Sequence, residues 1–373
     1  MTKRRSRGEG SIYRRKDGLW CAQIILPNGK RKDKYAKSQK EVRDWLDSQK
    51  NSVHQGVWTD SDSLTVEVFL NHYLNDIVAH NLRPKTQESY FGLVRLHILP
   101  ELGKIKLTSL RPDHVQALYA LKAKEGYSKR TIQYIHAVLH KALDQAVKWG
   151  LVPRNVCEAV QAPRPAKNPM EILTQEQANK LLAVTQNDPL HALWVAAITT
   201  GMRKEELAGL RWVDVNLEKK TIQIQQVALT VYQKGIIISE PKSEESRRTI
   251  ELSKATVDAL RVHKEKQERI KESSSEWEDY GLVFCSKKGR PIGSRNLLKY
   301  FHVALEKAGL PKVTFHSLRH LHATLLLVAG VHPKIVQERL GHSRIDITLD
   351  LYTHVIPGLQ KPAADIIDTL ITA

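Results

Sequence analysis

Residues 200–207 read Thr-Gly-Met-Arg-Lys-Glu-Glu-Leu, and this octet organises the rest of the chain. Gly201 permits a tight turn, and Arg203 opens a helix behind it. Glu206 lies three residues on, on the same helical face as Arg203, where a carboxylate can orient a guanidinium. A second stretch, His316-Ser317-Leu318-Arg319-His320, repeats the device. His316 and Arg319 are i,i+3 on one face, so two arginines from distant segments are available to fork around one phosphate. Further on, Leu340-Gly341-His342-Ser343 is followed, ten residues after the histidine, by Tyr352 within Leu349-Asp350-Leu351-Tyr352-Thr353-His354. Lys242 sits in a charged turn, Glu240-Pro241-Lys242-Ser243-Glu244-Glu245-Ser246-Arg247-Arg248. Taken singly, each is an ordinary surface residue. An arginine on a helix or a tyrosine near a C-terminus usually faces solvent or packs.

Around these segments the pattern is mainly helical. Thr174-Gln175-Glu176-Gln177 forms a capping box ahead of an apolar helix, and helices continue to about Leu210. Thr221–Val227, Val231–Ser239 and Arg247–Glu251 read as strands of one small antiparallel sheet. Helices resume at Lys254. Residues 170–373 therefore form a mainly helical domain with a small sheet. Its tail keeps an apolar stripe, Ile366, Ile367, Leu370 and Ile371, suited to docking on its own protomer or on a neighbour.

Upstream, Gln161–Pro169 carries three prolines and reads as a linker. Before it, residues 65–163 form a helical domain. Val66, Phe69, Leu70, Tyr73, Leu74 and Ile77 recur at helical spacing. Further helices start near Lys85, at Arg111-Pro112-Asp113 and at Ser128, the last ending at Gly150. Val53–Ser63 reads as a second linker. Residues 1–55 form the third domain: short strands at Ser11–Arg14, Leu19–Leu26 and Arg31–Tyr35, then a helix from Gln39 to about Gln49 with Val42, Trp45 and Leu46 on one face. Asp17-Gly18 and Pro27-Asn28-Gly29 supply the turns.

Charge names the partner class. The 373 residues carry a net charge of +18, and residues 1–40 hold 13 Lys and Arg against 3 Asp and Glu. Ten of the eighteen charges thus sit in about a tenth of the chain. A sheet presenting Arg14, Arg15, Lys30, Arg31 and Lys32 suits a polyanion groove, since neutralising phosphates releases counterions. No apolar run approaches the roughly 18 residues of a membrane span, and the basic N-terminus has no apolar stretch behind it, so a cytoplasmic protein is expected. Cys21, Cys157 and Cys285 give neither a disulfide framework nor zinc spacing. The C-terminal histidines, His316, His320, His322, His332, His342 and His354, lack a matching Cys or Glu set, and an arginine among them repels a cation. No nucleotide loop, dinucleotide fingerprint or two-metal carboxylate cluster appears, so neither metal nor cofactor is expected. Phosphoryl chemistry on DNA then needs a protein nucleophile and cationic side chains to hold the charge of a pentavalent phosphorane.

The strings TGMRKEELAGLRW, EPKSEESRRTIEL, HSLRHLHATLLL and LGHSRIDITLDLYTH, in this order, resemble the tyrosine recombinases of phage and conjugative-transposon integrase type. The resemblance runs through essentially the whole chain and is strongest over 170–373. It implies an arm-type DNA-binding domain at 1–55, a core-site-binding domain at 65–163 and a catalytic domain at 170–373. It also implies a catalytic set of Arg203, Lys242, His316, Arg319, His342 and Tyr352, supported by Glu206. Tyr352 would form a 3′-phosphotyrosyl link, His316 would assist it and Lys242 would protonate the leaving 5′-oxygen. The implied partners are double-stranded DNA with core-type and arm-type attachment sites, three further copies in a synaptic tetramer, an excisionase and a host DNA-bending protein. Two alternatives stand beside an integrase: a resolvase-type recombinase for DNA dimers, and a non-catalytic DNA-binding regulator that kept the fold.

Overall fold

The computed structural model describes residues 10–25, 31–54, 64–166, 171–241, 243–346, 348–349, 367–368 and 371. The chain divides into two compact units, Met1–Lys167 and Asn168–Ala373.

In the first unit, β1 (Ser11–Arg14), β2 (Trp20–Ile25) and β3 (Arg31–Ala36) form an antiparallel sheet in the order β1-β2-β3. Alternation along the strands gives the sheet one apolar face. Ala22, Ile24 and Ala36 on that face bury against Val42 and Leu46 of α1 (Gln39–His54). The helix runs through Val53 and His54, which the sequence reading gives to a linker; the rest of that linker, 55–63, lies outside the described residues.

The helical part has its own core. It comprises α2 (Val66–His72), α3 (Ala79–Asn81), α4 (Pro84–Leu93), α5 (Leu99–Leu102), α6 (Pro112–Lys124) and α7 (Lys129–Lys148). Widened π-helical turns at Tyr73–Val78 and Val94–Ile98 join the shorter pieces. Thr65 and Ser128 cap the first and last of these helices through their hydroxyls. Val66, Phe69, Leu70, Tyr73 and Leu74 are all buried.

The second unit opens with α8 (Gln175–Val184), whose Thr174–Gln177 capping box is present with both hydrogen bonds. Then come α9 (His191–Thr200) and α10 (Lys204–Gly209). The expected single sheet is two. β4 (Val215–Asn216), β5 (Thr221–Gln223) and β8 (Thr249–Glu251) make one, and β6 (Val227–Val231) and β7 (Gly235–Ser239) make a separate hairpin. The segment read as one strand from Val231 is broken by a turn at 232–234, where Gln233 takes a φ of 60° and Gly235 one of 74°. Then follow α11 (Lys254–Ser273), α12 (Ser294–Lys307), α13 (His316–Val328) and α14 (Pro333–Leu340). The core joins α8–α13 to β5 and β8 around Trp194, Phe284, Phe301 and Phe315. A satellite cluster, Ala323, Leu327, Val336 and Leu340, seats α14 on α13. Of the tail stripe, Ile367 and Ile371 are helical and exposed; Ile366 and Leu370 lie outside the described residues. No helix among the described residues is long and apolar enough to cross a membrane.

Candidate active site

Arg203, Glu206, His316, Arg319 and His342 converge in the second unit. Gly201 ends α9 in the left-handed conformation with φ 64°. A Cβ there would lie 2.6 Å from Leu340 Cδ2 and 2.7 Å from His322 Cδ2, so only glycine lets α13 and α14 approach this turn. Arg203 caps α10 two residues later. Its backbone N–H donates to Glu206 Oε2 at 2.9 Å and its Nη1 to Glu206 Oε1 at 2.7 Å. The i,i+3 spacing thus produces the expected clasp.

Glu206 is 1% exposed. A lone carboxylate at that depth would take a proton, and burial does push Glu206 upward. Arg248 and Arg203 outweigh burial, so its pKa is lowered and it stays ionised. Arg248 is the larger of the two compensating groups, with Nη1 donating to Oε1 at 3.1 Å and Nη2 to Oε2 at 3.0 Å. Sequence reasoning passed over Arg248. Its signal was strand alternation: Arg248, Ile250 and Leu252 share one inward face, whereas Arg247 turns outward to Glu240.

Arg319, on α13, is 3% exposed. Its Nη1 donates to Gly201 O at 2.9 Å and its Nη2 to Leu340 O at 2.6 Å. Its Nε is buried with no hydrogen-bond partner among the described residues. Burial, reinforced by Arg203, lowers the guanidinium to about 9, which still leaves it a cation at neutral pH. Arg203 reaches the same helix end, with Nη2 donating to Gly341 O at 2.9 Å.

The imidazoles sit in this cationic field. Burial and then His320, Arg319 and Arg203 hold His316 down to about 4, although much of its surface is open. His316 and His320 meet edge to face, with ring centroids 4.7 Å apart. His342, on the chain leaving α14, is lowered to about 3 by burial and then by Arg319 and Arg203. Its Nδ1 lies 3.0 Å from the Thr348 hydroxyl, which fixes the ring and directs any further hydrogen bond to Nε2. All three rings are neutral at pH 7. His322 is structural: Arg339 Nε donates to its Nε2 at 3.1 Å, so its Nδ1–H donates to Ile198 O at 2.9 Å.

An open cavity of about 500 Å³ adjoins the cluster, lined by Arg203, Lys204, His302, Phe315, His316 and Arg319 among others. Two fixed guanidiniums and a neutral imidazole on the wall of an open cavity suit a phosphodiester. Lys242 and Tyr352 lie outside the described residues. So does Lys30 of the N-terminal basic set. Arg14, Arg15, Arg31 and Lys32 are on or beside β1 and β3 and are not part of the buried cluster. Arg15 lies over the Tyr35 ring at 5.0 Å, and Arg31 pairs with Asp33 at 2.9 Å.

The phage integrase family matches residues 171–357, and the phage integrase N-terminal SAM-like domain matches residues 65–120. A protein named "Tyrosine recombinase XerC-like" from Caldanaerobacter subterraneus subsp. tengcongensis is 31% identical, over 92% of this chain and 93% of the relative. An integrase of Streptomyces ambofaciens is also 31% identical, over 99% and 98%. Among solved structures, the Tn1549 transposon integrase in complex with a circular intermediate DNA superimposes with a TM-score of 0.70 at 22% identity, covering 82% of this chain and 100% of that one. A lambda integrase tetramer bound to a Holliday junction gives 0.55 at 20% identity, over 94% and 96%. These family and relative matches make the chain a DNA-cleaving and rejoining enzyme. The chain belongs to the phage integrase family and is a tyrosine recombinase.

Proposed function

We propose that this recombinase integrates and excises a mobile element or prophage through a 3′-phosphotyrosyl intermediate on Tyr352. Curated relatives named as integrases over nearly the full chain favour this over dimer resolution or passive DNA binding. The observation that carries the chemistry is Arg319. It is a buried guanidinium fixed by two backbone carbonyls, and its Nε has no partner among the described residues. A buried unpaired donor on a residue that lines an open cavity is ready to donate to a non-bridging phosphate oxygen.

In this reading Tyr352 Oη attacks phosphorus, the bond from phosphorus to the 5′-oxygen breaks, and the diester is conserved as a protein–DNA link. Rejoining therefore needs no ATP. A free tyrosine has a pKa of about 10, so only about one in a thousand is ionised at pH 7. His316 takes the phenolic proton. With a pKa near 4 in the unliganded site it is neutral and free to accept. A bound phosphate offsets the positive field of Arg203 and Arg319 and strengthens it as a base. Arg203 and Arg319 hold the charge that develops on the phosphorane, and His342 Nε2 adds a hydrogen bond. Lys242 protonates the leaving 5′-oxygen. Residues 1–55, with Arg14, Arg15, Lys30, Arg31 and Lys32, grip arm-type sites. Residues 65–163 and 170–373 hold the core site. Four protomers form the synapse, and an excisionase and a host bending protein set its direction.

The test is a nicked duplex spanning the junction of the excised circular element. Wild type should trap a covalent adduct in the presence of EDTA and without ATP, and Tyr352→Phe should bind but form none. An undiminished adduct from Tyr352→Phe sinks the nucleophile assignment. Deleting 1–55 should spare core-site cleavage and impair recombination between full attachment sites.

A further inference from the structure

We propose that Arg248 is a positioning residue for strand cleavage: it fixes the Glu206 carboxylate and the C-terminal end of α14, and through them Arg203 and His342. The inference rests on the recombinase reading above and deepens it.

Three consecutive carbonyls close α14, and each is taken by a different arginine. Arg248 Nε donates to Arg339 O at 2.7 Å, Arg319 Nη2 to Leu340 O at 2.6 Å, and Arg203 Nη2 to Gly341 O at 2.9 Å. The last carbonyls of a helix have no partner within it, and cations are favoured at that end. Two of these arginines belong to the proposed phosphate clamp. The third cannot serve there, because all of its donating sides are engaged. Its Nη1 and Nη2 hold both oxygens of Glu206, and Nη1 also reaches Ser246 O at 3.3 Å. Its side chain is 7% exposed.

Arg248 therefore touches the substrate cavity only through others. Glu206 receives four donors, two from Arg203 and two from Arg248, and holds them in one geometry. Gly341 presses the outgoing chain onto the same segment: a Cβ there would lie 2.7 Å from Glu245 O and 3.1 Å from Arg248 Cδ. His342 follows directly. A side chain that filled the space without these donors would leave Glu206 and Arg339 O unpaired and both catalytic elements free to shift. A misplacement of about 1 Å at a reacting centre costs on the order of 10²-fold in rate. A lysine can supply the charge to Glu206 but cannot fork to the carbonyl as well.

The experiment compares full-length wild type, Arg248→Met and Arg248→Lys on the same nicked junction duplex. Single-turnover adduct formation, DNA affinity and thermal melting are measured from pH 5 to 8. Arg248→Met should form adduct about 10²-fold more slowly with DNA affinity unchanged. Its deficit should deepen as pH falls, because Glu206 then faces only Arg203 and the field of Arg319 and takes up a proton more readily. Arg248→Lys should restore the wild-type pH profile yet remain about tenfold slow. Arg248→Met within twofold of wild type overturns the proposal. So does a pH-independent deficit that Arg248→Lys removes entirely, which marks a purely structural role. If Arg248→Met does not fold, Arg248→Lys decides alone: a wild-type rate overturns the proposal and a tenfold loss with an unchanged pH profile supports it. A wild-type protein that forms no adduct refutes the recombinase reading instead.

Discussion

Arginines occupy two opposite settings in this molecule. On the N-terminal sheet, Arg31 leaves 54% of its side chain in solvent and leans on Asp33 two residues away. In the second unit, Arg319 and Arg248 are almost fully enclosed and held by backbone carbonyls and one carboxylate. The charge is the same in both settings, but its cost differs. A surface guanidinium keeps its hydration and contributes to a diffuse, salt-screened field. A buried one has lost its hydration and must be oriented by the fold, and that orientation is what a reaction centre requires. The bulk charge of +18 merges these two uses.

The contrast breaks most visibly at the buried end. Arg319→Ala should slow adduct formation by about 10²–10³-fold in a single-turnover assay, the usual loss for one preorganised charge-stabilising donor. A smaller loss than that from a sheet arginine would erase the distinction. Glu206→Ala leaves the buried Arg248 guanidinium facing the half-buried Arg203 with no counter-charge, and a loss of about 3–5 kcal/mol is expected by chemical denaturation.

Next in size is the response to acid. His316 and His322 are held near 4 and His342 near 3, all below the ordinary histidine value of about 6.5. Between about pH 6.5 and 4 the unfolded chain therefore binds more protons than the folded one, and stability rises with pH across that window. Acidification should loosen the second unit over this range. Residues 10–50 contain no histidine and should respond far less. Hydrogen exchange resolved by region reads both, and equal loosening would contradict the contrast. The smallest effect belongs to the sheet: Arg31→Ala should reduce the salt slope of arm-DNA binding by about one and leave core-site cleavage unchanged.

The sequence exposes what is local. Hydroxyl caps at Ser128 and Thr174, the strand Ser11–Arg14 and the Arg203–Glu206 clasp are encoded within four residues, and each forms. The turn at 232–234 stays hidden because it bends through Gln233, a residue with no turn preference. Arg248 was recoverable from its alternation with Ile250 and Leu252. The carbonyl clamp was not, since it joins residues as far as 138 positions apart through backbone atoms that every sequence has in common.

That clamp has a thermodynamic consequence. Arg203 and Arg319, the arginines proposed to meet DNA phosphate, also hold Leu340 and Gly341 at the root of the segment that leads to Tyr352. If phosphate changes the equilibrium constant of that grip by some factor, reciprocity demands that the position of the segment change phosphate affinity by the same factor. Occupancy of the scissile site and readiness of the nucleophile are then one equilibrium observed from two ends.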